Sequence, residues 1–151
     1  MISHFEDVIL QTVCRILIPF IQLYGLYVIA HGHHSPGGGF QGGVILGASF
    51  ILLCVAYDIN EAKRRLTEKL DTMFCSLGLI IYSGIGFVCL VLGGNYLNYS
   101  RLGHILPVDP VNARSLGILG IEIGVGITVM AVMISIFLDL VSRGKHEEGL
   151  E

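Results

Sequence analysis

Four long apolar runs, separated by polar stretches, dominate the pattern of the chain. We predict spans at about residues 8–30, 36–57, 74–94 and 115–138. A helix needs about 20 mainly apolar residues to cross a hydrocarbon core ~30 Å thick, and each run meets that length. The pattern predicts an all-α integral membrane protein with four transmembrane helices and short N- and C-terminal tails. It shows no second domain, so residues 1–151 are predicted to form a single membrane domain.

The polar connections predict the orientation. Residues 58–73 form the main charged loop, and residues 95–114 form a polar connection in which Pro107 and Pro110 disfavour helix. Four spans place both termini and the charged loop on one side, with these basic residues: Lys63, Arg64, Arg65, Lys69, Arg143 and Lys145. The other side holds only Arg101 and Arg114. The positive-inside rule then predicts that both termini are cytoplasmic.

Composition supports a membrane location. The chain is 53% hydrophobic and 14% charged, against about 25% charged residues in soluble domains. Acidic Glu6 and Asp7 precede the first run, unlike the basic start of a signal peptide, so we expect that run to be retained. No basic cluster with interleaved aromatic residues is present, which argues against a nucleic-acid partner. We therefore expect a multi-pass protein of the cell membrane, with the lipid bilayer as its surroundings.

The stretch between the first two runs is rich in histidine and glycine. It reads His-Gly-His-His-Ser-Pro-Gly-Gly-Gly-Phe-Gln-Gly-Gly over residues 31–43. Ser35 and Pro36 are typical of a helix start. Glycines spaced by four residues then let another backbone approach closely. We predict a helix-packing motif made of these residues: Ser35, Pro36, Gly37, Gly38, Gly39, Phe40, Gly42 and Gly43. The alternative is a half-helix that begins at membrane depth.

The histidines of this stretch invite a metal-site interpretation. His31, His33 and His34 share one predicted side with His104, and imidazole binds zinc or copper. No cysteine joins them, and their spacing matches no established zinc pattern. We interpret His31, His33 and His34 as interfacial polar residues and predict no metal or cofactor bound by this chain. No Walker motif, metalloprotease motif or nucleophile–base pair is present, so no enzyme active site is predicted.

Glu122 is the most informative ionisable residue, because it lies inside the fourth apolar run. An acid within a span usually marks an ion pathway or a buried partner. Small residues form a stripe on the opposite face of the same helix: Gly117, Gly120, Gly124, Thr128, Ala131 and Ser135. The acid on one face and the small-residue stripe on the other each need a packing partner. An isolated four-helix monomer would cover both faces poorly, so we predict a larger membrane assembly.

A polar seam also follows the first span. Gln11, Arg15 and Gln22 share one helical face, and Pro19 removes the donor that the Arg15 carbonyl would use. One interpretation is that Arg15 extends to the nearby interface. The other is that the seam packs against protein and lines a wet path. With Glu122, these three residues are our candidates for an ion path.

The glycine stretch also identifies a family. Residues 32–43 resemble the signature Gly-His-x-x-Pro-Gly-Gly-Gly-Phe-x-Gly-Gly of the B subunit of Mrp-type multisubunit sodium/proton antiporters. The four spans, the charged loop and Glu122-Ile-Gly-Val125 agree with it. The resemblance implies a subunit without activity of its own, assembled with other small membrane subunits and large antiporter-like subunits. In that family the acid of the fourth span is often aspartate, so Glu122 is one methylene longer.

The resemblance implies a function for the whole complex. Mrp-type antiporters exchange cytoplasmic Na⁺ for external H⁺, and similar subunits occur in membrane-bound hydrogenases and sulfur-reducing complexes, where redox energy drives ion pumping. We therefore expect a small membrane subunit that contributes to the ion path and to assembly, with Na⁺ and H⁺ as the transported ions. The alternative is a purely structural assembly subunit with no ion-handling residue.

Overall fold

The computed structural model describes residues 4–32, 37–57 and 68–147, and this part of the chain is mostly helical. It contains four long helices and one short 3₁₀ helix, Tyr99–His104. The long helices are α1 (His4–His31), α2 (Gly39–Tyr57), α3 (Glu68–Val91) and α4 (Pro110–Glu147). All four are long and apolar enough to cross a membrane. The predicted four-span, all-α class is confirmed.

The helices extend beyond the predicted spans. α4 begins at Pro110 rather than near residue 115 and continues to Glu147, past the predicted end at 138. The expectation that the prolines keep residues 95–114 out of a helix is wrong at this point. Pro110 occupies the first helical position, where a backbone N–H would have no acceptor within the helix. The missing N–H of proline therefore costs no helical hydrogen bond there, and its fixed φ suits the helix. α3 likewise begins at Glu68 rather than near residue 74 and ends at Val91, because apolarity marks the membrane layer rather than the helix ends.

α2 begins later than predicted. Ser35, Pro36, His33 and His34 lie outside the described residues, but Gly37 and Gly38 are described and are not helical. A continuous helix from Pro36 is therefore wrong, and α2 begins at Gly39. Its 19 residues rise about 28 Å at ~1.5 Å each, close to the hydrocarbon thickness. α2 is therefore a full span rather than a half-helix.

The four helices form a row in the order α1, α2, α4, α3. α1 and α2 are antiparallel, with Gly42 against Ile29 at one end and Tyr57 against Gln11 at the other. α2 and α4 are parallel, since Gly39 contacts Glu122 and Gly47 contacts Met133. α3 runs antiparallel to α4. The bundle thus has a Glu122 end and a Tyr57 end, and the Tyr57 end is the side predicted to face the cytoplasm.

Glycine makes the approach of α4 to both neighbours possible. A Cβ on Gly43 of α2 would lie 2.6 Å from the Gly126 carbonyl oxygen, and one on Gly78 of α3 would lie 2.6 Å from the Gly124 carbonyl oxygen. α2 therefore covers the Glu122 face of α4 and α3 covers the small-residue stripe. Helices of the same chain cover both faces of α4. The need to cover these two faces therefore does not by itself require another subunit.

The connection between α3 and α4 folds back onto the Glu122 end. α3 ends in a Schellman motif: Gly93 has a φ of +74°, and the amides of Gly93 and Gly94 bond to the carbonyls of Leu90 and Cys89. The ring of Tyr99 then packs against Gly117 of α4. Burial raises the pKa of the Tyr99 phenol, with smaller contributions from neighbouring groups. The phenol therefore stays protonated at neutral pH.

Two glycines of α3 give a matched test of this packing. Alanine at Gly78 would clash with the Thr128 hydroxyl and the Gly124 carbonyl, whereas a Cβ at Gly84 meets nothing within 4 Å. We expect Gly78→Ala to destabilise the protein by about 1–3 kcal/mol, the usual cost of overpacking. Gly84→Ala is expected to be neutral or slightly stabilising, because alanine favours helix. Thermal unfolding in detergent compares them, and equal midpoints would contradict this helix contact.

Candidate functional site

Glu122 lies where α1 ends, α2 begins and α4 passes both. A Cβ on Gly32 would lie 2.5 Å from the Glu122 Cδ, and one on Gly38 would lie 2.7 Å from Oε1. A Cβ on Gly39 would lie 2.8 Å from the Glu122 Cα. Gly32, Gly38 and Gly39 thus form a glycine cradle around this residue. Any side chain at these positions would occupy space that Glu122 now fills.

The cradle surrounds the carboxylate with backbone. The Oε2 atom of Glu122 has less than 1 Å² of accessible surface. The first turn of α2 begins at Gly39, and the exposed amides of a first turn carry a partial positive charge. A nearby carboxylate is stabilised by that charge. The site therefore places a half-buried acid, with one shielded carboxylate oxygen, beside the start of a membrane-spanning helix.

Glu122 lies near one boundary of the membrane layer rather than at its centre. It is level with Gly39, the first residue of α2. It follows Pro110 by twelve residues, about 18 Å at helical rise, because the early part of α4 projects beyond α2. An ionisable group costs less near the interface than at the bilayer centre. The location is compatible with contact to water or to another subunit.

The other three candidates for the ion path do not join Glu122. Gly32, which contacts Glu122, follows Gln22 by ten residues and Arg15 by seventeen. Along α1 these separations are about 15 Å and 25 Å. Gln11 lies further still, at the Tyr57 end, where its backbone carbonyl accepts a hydrogen bond from the Tyr57 hydroxyl at 3.3 Å. Their grouping with Glu122 into one path stays a prediction, because residues this far apart along a helix can border the same path.

Arg15 instead borders a separate cavity, which we call the Arg15 cavity. It measures about 360 Å³ and is lined by Arg15, Ile18, Pro19, Gln22, Leu53 and Tyr57. Half of these side chains are polar and half are apolar. α1 remains one continuous helix through Pro19. The cavity lies between α1 and α2, toward the Tyr57 end.

Sequence reasoning missed the burial of another acid. Asp71 is only 5% exposed, although the pattern placed it in the charged loop. It hydrogen-bonds with the Ser135 side chain, and Asp139 lies close by. All three line a cavity of about 260 Å³ between α3 and α4. The signal was the spacing of Asp71, Cys75 and Gly78, which places all three on the face of α3 that packs against α4.

The histidines and Phe40 take other positions. The ring of His31 lies 4.2 Å from the ring of Tyr27, measured between centroids. His104 is exposed in the 3₁₀ helix. Among the described residues, no three His, Cys, Asp or Glu side chains are grouped to hold a metal ion. Phe40 points away from the bundle and is 65% exposed, so it does not share the helix contacts of its neighbouring glycines.

The fold and site define a multi-pass membrane protein with an acid held at a helix junction. Comparison with known proteins identifies its family. A family model described as a domain related to the MnhB subunit of Na⁺/H⁺ antiporter matches residues 9–135. This match includes all of α2 and α3 and most of α1 and α4.

Similar proteins carry the same description. A Staphylococcus epidermidis protein named "Putative antiporter subunit mnhB2" is 34% identical over 132 residues, covering 83% of this chain and 92% of that protein. Proteins of the same name are 33% identical in Staphylococcus haemolyticus, over 85% of this chain and 94% of theirs, and 32% identical in Staphylococcus aureus, over 83% and 92%. The chain belongs to the MnhB family and is a membrane component of a Na⁺/H⁺ antiporter complex. It is thus a transporter component.

The glycine cradle predicts coupling between Gly32 and Glu122. Gly32→Ala should displace the carboxylate and destabilise the protein, because the new Cβ would overlap it. In a Glu122→Ala background the same change should cost much less, since the overlapping atoms are gone. We expect a coupling free energy of about 1–3 kcal/mol, as for contacting residues. Thermal unfolding of the two single variants and the double variant measures it, and additive effects would contradict the cradle geometry.

Proposed function

We propose that this chain is a small membrane subunit of a Na⁺/proton antiporter module in which Glu122 borders the ion path. One observation carries the proposal: a half-buried acid lies at the meeting point of three helices, with its Oε2 atom shielded and backbone on several sides. An ionisable residue within a membrane-spanning helix is by default a functional residue, because its burial has a cost that function must justify.

The chemistry of the cradle suits a cation or a proton. Hard cations prefer oxygen ligands, and Glu122 supplies two carboxylate oxygens. The positive-inside rule predicts that this end of the bundle faces the external side. In this proposal Glu122 serves the external end of the path, where protons enter and Na⁺ leaves.

Other subunits must supply the rest of the route. Within the described residues, the polar candidates Gln11, Arg15 and Gln22 of α1 lie about 15 Å or more from the cradle, measured along the helix. The outer surface of α1 is strongly apolar, with Phe20 66% and Leu23 65% exposed. We propose that the large antiporter-like subunits and other small membrane subunits of an Mrp-type complex complete the path. Assembly is therefore part of the function of this chain.

A purely structural role is the second candidate, and one observation favours it. The Glu122 carboxylate lies against Gly38, one residue before α2 begins. An acid in this position stabilises a helix start without handling ions. In that case the glycine contacts and the acid together serve only to hold α1, α2 and α4 in place.

Glu122→Gln separates the two roles. Glutamine keeps the size and hydrogen-bonding capacity of the side chain but removes its charge. We expect the antiporter complex to assemble normally and to lose Na⁺/H⁺ exchange by at least about tenfold, as is typical when a group needed for ion transfer is removed. Exchange is measured in inverted membrane vesicles, and assembly by native gel electrophoresis.

The matched control is Asp139→Asn, which removes an exposed acid from the same helix at the Tyr57 end. It should leave exchange unchanged. Normal exchange in an assembled Glu122→Gln complex would instead support the structural role. Under that role Gly43→Leu, which would collide with Gly126 and Val129, should dissolve the complex.

The host complex is the remaining part of the proposal. The resemblance allows a stand-alone antiporter or the Mrp-like module of a redox-driven complex such as a membrane-bound hydrogenase. We expect purification in mild detergent followed by mass spectrometry to recover antiporter subunits with this chain. If iron–sulfur or nickel-binding subunits are present in the same particle, the module belongs to a redox-driven pump; if they are absent, it belongs to an exchanger driven by an ion gradient.

A further inference from the structure

We propose that the Arg15 cavity binds the headgroup of an anionic phospholipid from the leaflet at the Tyr57 end. This inference does not depend on the role of Glu122. It follows from the depth of Arg15, from the location of the acidic residues, and from the mixed lining of the cavity.

Arg15 lies just below the headgroup layer of the membrane, and its side chain is long enough to reach that layer. The Tyr57 hydroxyl bonds to the Gln11 carbonyl, and Tyr57 is the last residue of α2 before the charged segment. These two residues therefore mark the membrane boundary. Arg15 follows Gln11 by four residues, about 6 Å deeper in the membrane. An arginine side chain extends over that distance and brings its guanidinium to the headgroup level.

The charge of Arg15 has no counter-anion in the described part of the chain. The acidic side chains that the structure describes are Asp71, Asp109, Glu122 and Asp139. None of these four side chains lies on α1 or α2. Glu122 contacts the end of α1 and the start of α2, but only at the opposite end of the bundle. Within the described residues no ion pair involves Arg15. A guanidinium beneath the membrane surface is costly unless an anion accompanies it, and an anionic headgroup in the cavity would supply the negative charge.

The lining of the cavity fits an amphipathic ligand. Arg15, Gln22 and Tyr57 provide polar groups for a phosphate and its esters. Ile18, Pro19 and Leu53 provide apolar surface for the glycerol and the first part of an acyl chain. The 360 Å³ volume corresponds to roughly ten water molecules, more than one carboxylate side chain would fill. Pro19 has no N–H, so the Arg15 carbonyl is also open to a headgroup hydroxyl.

A lipid suits this location better than a carboxylate from another subunit. Neighbouring α1 residues are apolar and outward-facing, with Ile16 59% and Leu23 65% exposed. Acyl chains would continue along that surface. Arginine also matches phosphate oxygens with two parallel hydrogen bonds. A single positive charge favours a lipid with net negative charge over a zwitterionic one, whose own cation competes for the phosphate.

The test uses the purified antiporter complex with wild-type chain. Phosphatidylglycerol should raise its thermal stability more than equal amounts of phosphatidylcholine, and native mass spectrometry should detect a retained phospholipid. Arg15→Gln should weaken phosphatidylglycerol binding about tenfold or more, because a charge-assisted hydrogen bond is lost. Arg15→Lys should bind at an intermediate level, since it keeps the charge without the paired hydrogen bonds.

The matched control is Arg114→Gln, which removes an exposed arginine from α4 and should leave lipid binding unchanged. Equal stabilisation of the wild-type complex by both lipids would overturn the proposal, even if Arg15→Gln fails to fold. So would unchanged lipid retention in Arg15→Gln. Loss of another subunit from Arg15→Gln, with lipid retention unchanged, would show that a partner carboxylate occupies the cavity.

Discussion

The close approach of backbones along α4 is the constraint on which the rest of this structure depends. Gly39 and Gly43 of α2 contact one face of α4, and Gly78 of α3 contacts the other. Within a bilayer, apolar side chains gain little by leaving lipid, so helices associate through close packing and polar contacts. Glycine allows that packing without a change of rotamer. The contacts of α4 with α2 and α3 are therefore specified largely by where the glycines lie.

The same constraint creates the Glu122 site. Because α2 begins against α4, Gly32 after the end of α1 and Gly38 before α2 lie against the Glu122 side chain. Gly32 and Gly38 make room for the carboxylate, and the start of α2 brings amide dipoles close to it. The packing motif and the candidate ion site are thus one structural unit. A change in either one alters the other, which is why the charge of Glu122 has to be tested separately from its size.

The two ends of the bundle differ in chemistry. An acid in a backbone cradle lies at one end, while a cation beside a mixed cavity and the buried Asp71 lie at the other. Between them, α1 presents apolar side chains outward. A subunit of an antiporter complex must remain anchored among lipids and other helices while one of its residues contacts the ion. In our proposals the Arg15 end serves the first need and the Glu122 end serves the second.

Sequence alone determined the membrane class, the four spans and the family, because hydrophobic length and the glycine signature are local properties of the chain. It also marked Glu122, since an acid in an apolar run is visible without coordinates. Tertiary structure decided which groups meet: it separated Arg15 and Gln22 from Glu122, and it buried Asp71 against Ser135. It also began α4 at Pro110 and α2 at Gly39. These outcomes depend on how helices stack and project beyond one another, and hydropathy along one chain does not contain that information.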